Sequence, residues 1–339
     1  MKQPTANLRK LCRGLSPRYA ATVGVLFVLV AGAGCQAWDW RGTSVLTGQP
    51  TVDEVVNTIN MNVGPVRLLV ADDVGITLQT GERLTQRVAT AVGTHFALRG
   101  RLAVQKPRRL RLIAGTSFSR ELDLGSNDRE FWLYLRQARE PSLGPGTHPV
   151  LYHATYAEYR RSGAELPLQP EWVIAALGLA EVDPSRSHLL QPGERGTVEL
   201  LTPVTLTNGL PAVLVRVLTL RSGLVTQVRL ERGATVVATS ELSDFRNFPD
   251  GPSTLPTRVK ITWHPTNTRV TLDLRHVQLN PALDAAQLAQ LWQSPYPYLV
   301  PNGMATAINV AQVAAQQRRR QPPSVRLFEP SRPPYQRYP

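Results

Sequence analysis

The sequence predicts a mainly β protein of the α+β kind: one large, curved antiparallel sheet with a few helices packed into its open side. Nine runs between Phe96 and Leu274 alternate apolar and polar residues or are rich in Val, Leu and Thr, the composition of pleated, half-buried strands. The breaks between them are short and carry Gly, Pro, Asn or Asp, as at Glu231-Arg232-Gly233; such spacings make hairpins and leave no room for βαβ crossovers. Only four segments read as helix.

In chain order, the first of these is Thr51 to Met61, where Val52, Val55, Val56 and Ile59 recur at helical spacing and Asp53 and Glu54 occupy the first turn, a short amphipathic helix. Strands are expected at Phe96 to Gln105, Arg109 to Ala114 and Phe131 to Arg136. Helical pieces follow at Tyr152 to Arg161 and Glu171 to Leu179. The second group of strands comprises Gly196 to Leu201, Ala212 to Leu220, Val225 to Glu231, Thr235 to Leu242, Arg258 to His264 and Arg269 to Leu274, before a last helix at Leu283 to Trp292.

The N-terminus has a different character. Lys2, Arg9, Lys10, Arg13 and Arg18 form a basic leader without acids, followed by the charge-free stretch Ala20 to Cys35 with its apolar centre VGVLFVLV. A positive flank, a short apolar core and small residues describe a secretory signal. The stretch is sixteen residues long, short of the roughly 20 that a bilayer-spanning helix needs, so an uncleaved anchor is the poorer reading. Two processing sites overlap. Ala31-Gly32-Ala33 fits ordinary cleavage before Gly34, while Gly34-Cys35 ends like the lipobox of bacterial lipoproteins, although Gly32 stands where that family prefers Leu. Cys12 lies in the leader, so Cys35 is the only thiol left after processing and cannot pair within its chain. Lipidation at Cys35, with palmitate or a related acyl group, is the preferred reading, since each buried CH₂ adds ~0.8 kcal/mol of membrane affinity. Residues 1–34 are then a signal peptide and 35–50 a Gly-containing tether.

Of the formal net charge of +13, five positives lie in the leader and a surplus of five lies in the tail, leaving +3 for the rest of the chain. That balance, with few aromatics to form a stacking platform, does not argue for nucleic acid, and none is expected as a partner. The folded body spans about 51–300. Residues 301–339 are expected to be a disordered, basic, Pro-rich tail, most marked from Gln316 onward.

Four motifs in order resemble the LolA/LolB-like lipoprotein carriers and receptors. Gly100-Arg101-Leu102-Ala103-Val104-Gln105-Lys106-Pro107-Arg108-Arg109-Leu110-Arg111 looks like the family's strand-Pro-strand signature. Phe131-Trp132-Leu133-Tyr134 resembles the next strand but one, with its aromatic pair. Glu241-Leu242-Ser243-Asp244-Phe245, after Val228-Arg229-Leu230, and Leu255-Pro256-Thr257-Arg258-Val259-Lys260-Ile261 repeat the order in the second half. The resemblance runs from about residue 51 to 292. It implies an unclosed β-barrel with a helical lid over an apolar cavity for acyl chains. It also implies a lining drawn from Leu102, Val104, Leu110, Leu112, Trp132, Tyr134, Leu230, Val259 and Ile261, with Leu214 and Val228 as further candidates. Lys106, before the signature Pro, would be the lid latch, where the soluble carrier has Arg; a Lys lacks the planar fork of Arg.

No catalytic constellation emerges. His95, His148, His153, His188, His264 and His276 are scattered, with no H-E-x-x-H motif. Gly115-Thr116-Ser117-Phe118-Ser119 lacks the closing Gly of a nucleophile elbow. Asp123 and Asp128 around Gly125-Ser126-Asn127 read as a turn, not as a calcium loop. No enzyme activity, cofactor or metal is expected. The expectation is a monomeric envelope lipoprotein, anchored through its N-terminal lipid and facing the periplasm, with a weak preference for the outer membrane because Gln36 is not the Asp of inner-membrane retention. It would bind acyl chains of a lipid or lipoprotein as a carrier or receptor. The competing reading is a scaffold lipoprotein without transported ligand, whose interior is filled by its own side chains.

Overall fold

The computed structural model describes residues 46, 48–79, 95–116, 119–138, 143–144, 146–162, 169–248 and 253–320. The expected signal sequence, Cys35 with most of the expected tether, and 321–339 lie outside the described residues.

Fourteen strands form one sheet: β1 Leu68–Gln79, β2 His95–Gln105, β3 Arg109–Gly115, β4 Arg120–Ser126, β5 Glu130–Ala138, β6 His148–Thr155, β7 Leu189–Pro192, β8 Thr197–Thr205, β9 Pro211–Thr219, β10 Val225–Arg232, β11 Thr235–Asn247, β12 Thr254–Trp263, β13 Thr268–Leu279 and β14 Thr306–Asn309. The described helices are α1 Val52–Val63, α2 Tyr156–Ser162, α3 Pro170–Ala176, α4 Ala285–Leu291, α5 Tyr296–Leu299 and α6 Val310–Arg320. The strand order is β14-β6-β5-β4-β3-β2-β1-β13-β12-β11-β10-β9-β8-β7. Two antiparallel meanders, β1 to β6 and β7 to β13, therefore meet where β1 pairs with β13, Val74 opposite Leu274 and Ile76 opposite Leu272. Only β14 breaks the pattern, pairing parallel with β6.

The sheet must curl. Helix α3 contacts β3 on one side and β10 and β11 on the other. In the strand order β3 and β10 are six steps apart, which in a flat sheet would be roughly 29 Å at ~4.8 Å per strand. A seven-residue helix is only about 10 Å long and about 10 Å across. The strands reach it from both sides because the sheet wraps around it, and the linear order leaves the barrel unclosed.

Strand alternation assigns the faces. The inner face carries Leu69, Ala71, Val74 and Ile76 of β1, with the matching residues of β2, β3 and β9 to β13, in one cluster around Trp172, Val173, Ile174, Ala175 and Ala176 of α3. Helix α1 buries Val55, Val56, Ile59 and Val63 against Val198, Leu200 and Leu218 further along that face. Helices α2 and α6 close its other end over Phe131 and Ala154. The chain from α4 to α5 instead crosses the outer face, packing Trp292 on Leu68, Val70 and Ala103, and Leu299 on Trp132 and Leu151.

Three sequence expectations change. The helix expected from Tyr152 begins at Tyr156, because 148–155 pair with β5 and Thr155 and Glu158 form a capping box, Glu158 N–H to Thr155 Oγ1 at 3.2 Å and Thr155 N–H to Glu158 Oε2 at 3.0 Å. The turn expected around Gly125-Ser126-Asn127 is confined to 127–129, where the Asn127 N–H bonds the Glu130 carbonyl at 3.0 Å, while Asp123, Gly125 and Ser126 belong to strand β4. The disordered tail expected from 301 does not begin there: β14 and α6 order the chain to Arg320, with Ala311 buried beside Tyr159 and Phe131.

Candidate functional site

Helix α3 occupies the place where a bound acyl chain is expected. Apart from Glu171 its residues are apolar, and it is seated by hydrogen bonds at both termini and by packing between. At the N-terminal end Thr207 Oγ1 donates to Glu171 Oε2 at 3.0 Å and Thr207 N–H to Gln169 Oε1 at 3.2 Å. At the C-terminal end the chain stops in a Schellman arrangement. Gly178 takes φ +73°, its N–H bonds the Ala175 carbonyl at 2.9 Å, and the Leu179 N–H bonds the Ile174 carbonyl at 3.2 Å. Ser240 of β11, fully buried on the inner face, donates to the Ala176 carbonyl at 2.6 Å.

Of the nine lining residues expected from the sequence, seven share this site. Leu102, Val104, Leu110, Leu112, Leu230, Val259 and Ile261 are buried in the one cluster with α3, as are Leu214 and Val228. Trp132 and Tyr134 are not among them. The register pairs Trp132 with Gly125 and Tyr134 with Asp123, and these face with Arg111, while Leu112, Leu124 and Leu133 face the other way. Both aromatics therefore belong to the outer face, packed with Leu151, Leu299 and Ala305.

Their role there is structural. Trp132 lies across Gly125, where a Cβ would collide with the indole, and its Nε1–H donates to Asp123 Oδ1 at 3.1 Å. Arg111 grips the other carboxylate oxygen, Nη2 to Oδ2 at 2.8 Å, and Arg120 adds a third donor at 3.0 Å. The same Arg111 reaches the carbonyls of Gln290, Leu291 and Gln293 at 3.0, 3.2 and 3.0 Å. One buried, fully partnered ion pair thus ties the end of α4 to the sheet.

Lys106 sits at the turn between β2 and β3, before cis-linked Pro107. Its ammonium donates to the Val63 carbonyl at 2.8 Å and pairs with Glu181. Helix α1 has no basic residue in its last turn, so Lys106 supplies from outside the positive charge that a helix C-terminus favours. It also ties down the segment that leaves α3. Two residues not anticipated from the sequence act beside it. Asn60 exchanges bonds with the Val182 backbone, 2.7 and 2.8 Å, and Asn62 does so with Thr254, 2.9 and 2.7 Å. Asn at these positions in an amphipathic helix reads as solvated surface; only the long-range fold brings each to a backbone segment it can pair with.

Between the C-terminal end of α1 and the exit of α3 lies a cleft of about 300 Å³, including its open mouth, walled by Ile59, Val63, Gly178, Val225, Leu242 and Phe245. Most of that is open solvent: the enclosed part, about 10 Å³, has room for roughly one water molecule, well short of the roughly 300–1,000 Å³ of small-molecule sites. No group of three or more His, Cys, Asp or Glu side chains among the described residues is placed to hold a metal.

No protein-family model and no curated protein matches the chain. Among solved structures it is similar to a Vibrio parahaemolyticus domain described as an outer membrane lipoprotein-sorting protein, at 13% identity and TM-score 0.46, covering 71% of this chain and 97% of that one. A Desulfovibrio piger protein of the DUF1329 family gives 10% identity and TM-score 0.46 over 71% and 97%. A Nitrosomonas europaea protein of the LolA superfamily gives 10% identity and TM-score 0.43, covering 73% of this chain and all of that one. All three similarities lie below a TM-score of 0.5.

Proposed function

We propose that this chain is a non-enzymatic envelope lipoprotein that binds acyl chains of a lipid or lipoprotein along the inner face of its sheet, with α3 as the occupant of that site in the unloaded protein. The observation that carries the reading is the convergence of inner-face residues from eight strands on one seven-residue helix. A second sheet would fill such a surface permanently; a short helix held by hydrogen bonds at its two ends can leave it. In this reading Lys106 latches the lid closed, and α3 exchanges its own apolar side chains for those of the ligand. Cys35 carries the lipid anchor, and the protein works from a membrane facing the periplasm, the outer membrane preferred.

The scaffold reading keeps one specific support: α3 already fills the interior, with Ile174 1% and Trp172 4% exposed. Trp172→Ala separates the two. If α3 competes with ligand, weakening it raises the fraction of binding-competent protein and tightens the apparent affinity for a fluorescent fatty acid in proportion. A scaffold with the same substitution loses stability, by about 3–5 kcal/mol, and gains no binding. Parent protein and variant that both ignore the probe would refute the carrier reading. For the anchor, Cys35→Ser is expected to abolish palmitate labelling and release the chain into the soluble periplasmic fraction. An unlabelled parent would leave cleavage at Ala33/Gly34 instead.

A further inference from the structure

Arg216 of β9 stands on the inner face, where nearly all its neighbours are apolar. Across the strands it faces Val228 on one side and Leu200 on the other. It is 5% exposed. Among the described residues its side chain makes one hydrogen bond, a long one, Nη1 to Thr202 Oγ1 at 3.5 Å, at the outer limit of what counts as a bond. Among the described residues no carboxylate pairs with it: Glu181 is engaged by Lys106, Asp183 by Ser185 and Arg186, and Glu199 by Arg229 on the outer face. Burial alone pulls its guanidinium down to about 10, still a cation at neutral pH. Buried charges in proteins are as a rule paired, as Arg111 is in this molecule.

The surroundings are arranged for an acceptor. His188 Nε2–H can donate only to the Asp183 carbonyl, 2.8 Å away, which leaves Nδ1 to accept from Thr202 Oγ1 at 3.0 Å. The Thr202 hydroxyl proton is thereby committed to His188, and its lone pairs face Arg216. The charge lies at the boundary of two apolar clusters, that of α3 and that of α1, with Leu214 of the first and Leu218 of the second as its neighbours on the same face of β9. The cleft ends near it without including it: Val225 of its wall is paired with Leu218, two residues along β9 from Arg216, about 7 Å.

We infer that Arg216 is the anion-binding end of the inner-face site, taking the carboxylate or phosphate of a single-chain anionic amphiphile whose chain lies along the α3 cluster. The inference rests on the acyl-binding reading and adds the ligand's charge class to it. A planar guanidinium grips either anion through two parallel hydrogen bonds, and a desolvated cation rejects a neutral headgroup of the same length because it would remain unpaired.

The test uses the full chain carrying Cys35→Ser, with hexadecanoate and hexadecanol competing against a fluorescent fatty-acid probe. The parent is expected to prefer the acid at least tenfold. Arg216→Met is expected to erase that preference while leaving hexadecanol affinity within twofold and the melting temperature no lower, since replacing an unpaired buried charge by an apolar side chain relieves the fold. Arg216→Lys is expected to restore part of the preference. Equal binding of acid and alcohol by the parent, or a preference that survives in Arg216→Met, overturns the inference while the acyl-binding reading stands. If neither compound binds, both fall. Inorganic phosphate alone that raises the parent's melting temperature, but not that of Arg216→Met, with acid and alcohol bound equally, would identify a free-anion site and overturn the amphiphile.

Discussion

Removing the ammonium of Lys106 is expected to loosen the helical cover without loosening the sheet. In Lys106→Met the Val63 carbonyl loses a charged donor at 2.8 Å, an interaction of roughly 1.5–3 kcal/mol when the donor is charged. The ion pair with Glu181, whose side chain is 52% exposed, adds at most about 1 kcal/mol because water screens it. The combined loss is about 2 kcal/mol. Both partners of Lys106 belong to covering segments, the end of α1 and the exit of α3, so the loss falls on local opening, not on the β1/β13 pairing. At 1.4 kcal/mol per decade, amide hydrogens of 52–63 and 177–182 should exchange roughly 30-fold faster. Those of β1 and β13 should keep their rates. Hydrogen exchange read by mass spectrometry on the full chain resolves these peptides, with Lys106→Arg as the control that retains the bond. Uniform acceleration across sheet and cover would show that Lys106 serves global stability and would refute the latch. Unchanged exchange in 52–63 would show that its bonds contribute nothing.

Gly125→Ala forces a methyl into the indole of fully buried Trp132 and should lower stability by about 1–3 kcal/mol, visible as a fall in melting temperature and a changed near-UV signal. Deleting 306–339 strips β14 from β6 and Ala311 from Tyr159, and should leave an aggregating protein, whereas deleting 321–339 should shift stability by no more than about 0.5 kcal/mol; equal effects would sink the assignment of β14 and α6. Glu199 accepts both Nη groups of Arg229 at 2.9 Å, and that bond holds its carboxyl below the usual glutamate range. A depressed carboxylate stabilises the fold fully above its unfolded value of about 4.3 and progressively less as pH falls through the folded one. Glu199→Gln should accordingly melt lower at neutral pH and lose part of the parent's acid-side decline, and a parallel pair of melting-versus-pH curves would refute the pairing.

Much of the sheet could be read from the chain because its strands pair with near neighbours. Alternation within Arg109 to Ala114 or Ala212 to Leu220 needs no distant information. Strand β1 escaped because a register shift between Ala71 and Val74 interrupts its alternation at Asp72 and Asp73, so the run LLVADDVGITLQ matches neither period. Strand β4 escaped because Asp123, Gly125 and Ser126 carry the composition of a turn, while Asp123 is completely buried among three donors. The lining residues were legible as far as parity within each strand. Parity between strands depends on register, and one residue of slip exchanges the faces; that is why Trp132 and Tyr134 turned out to face outward. Helix α3 was visible as a helix but not as the occupant of the interior, since nothing local distinguishes a helix inside a curled sheet from one beside it. Arg216 gave no signal at all: an arginine in a valine-rich strand reads as the polar half of an alternation.

The junction of β1 with β13 also fixes an order of events. Every other antiparallel pairing joins strands adjacent in sequence, but Val74 must find Leu274, two hundred residues away. Hairpins close in microseconds, whereas distant pairings wait on the entropy of a long loop. Each meander can therefore form early while the molecule as a whole stays incomplete until β13 has emerged, and β14, which seals β6, arrives later still. Were the chain exported unfolded, as the proposed anchor requires, a slow final step far along the sequence would keep it pliable during its passage and let it become rigid afterwards.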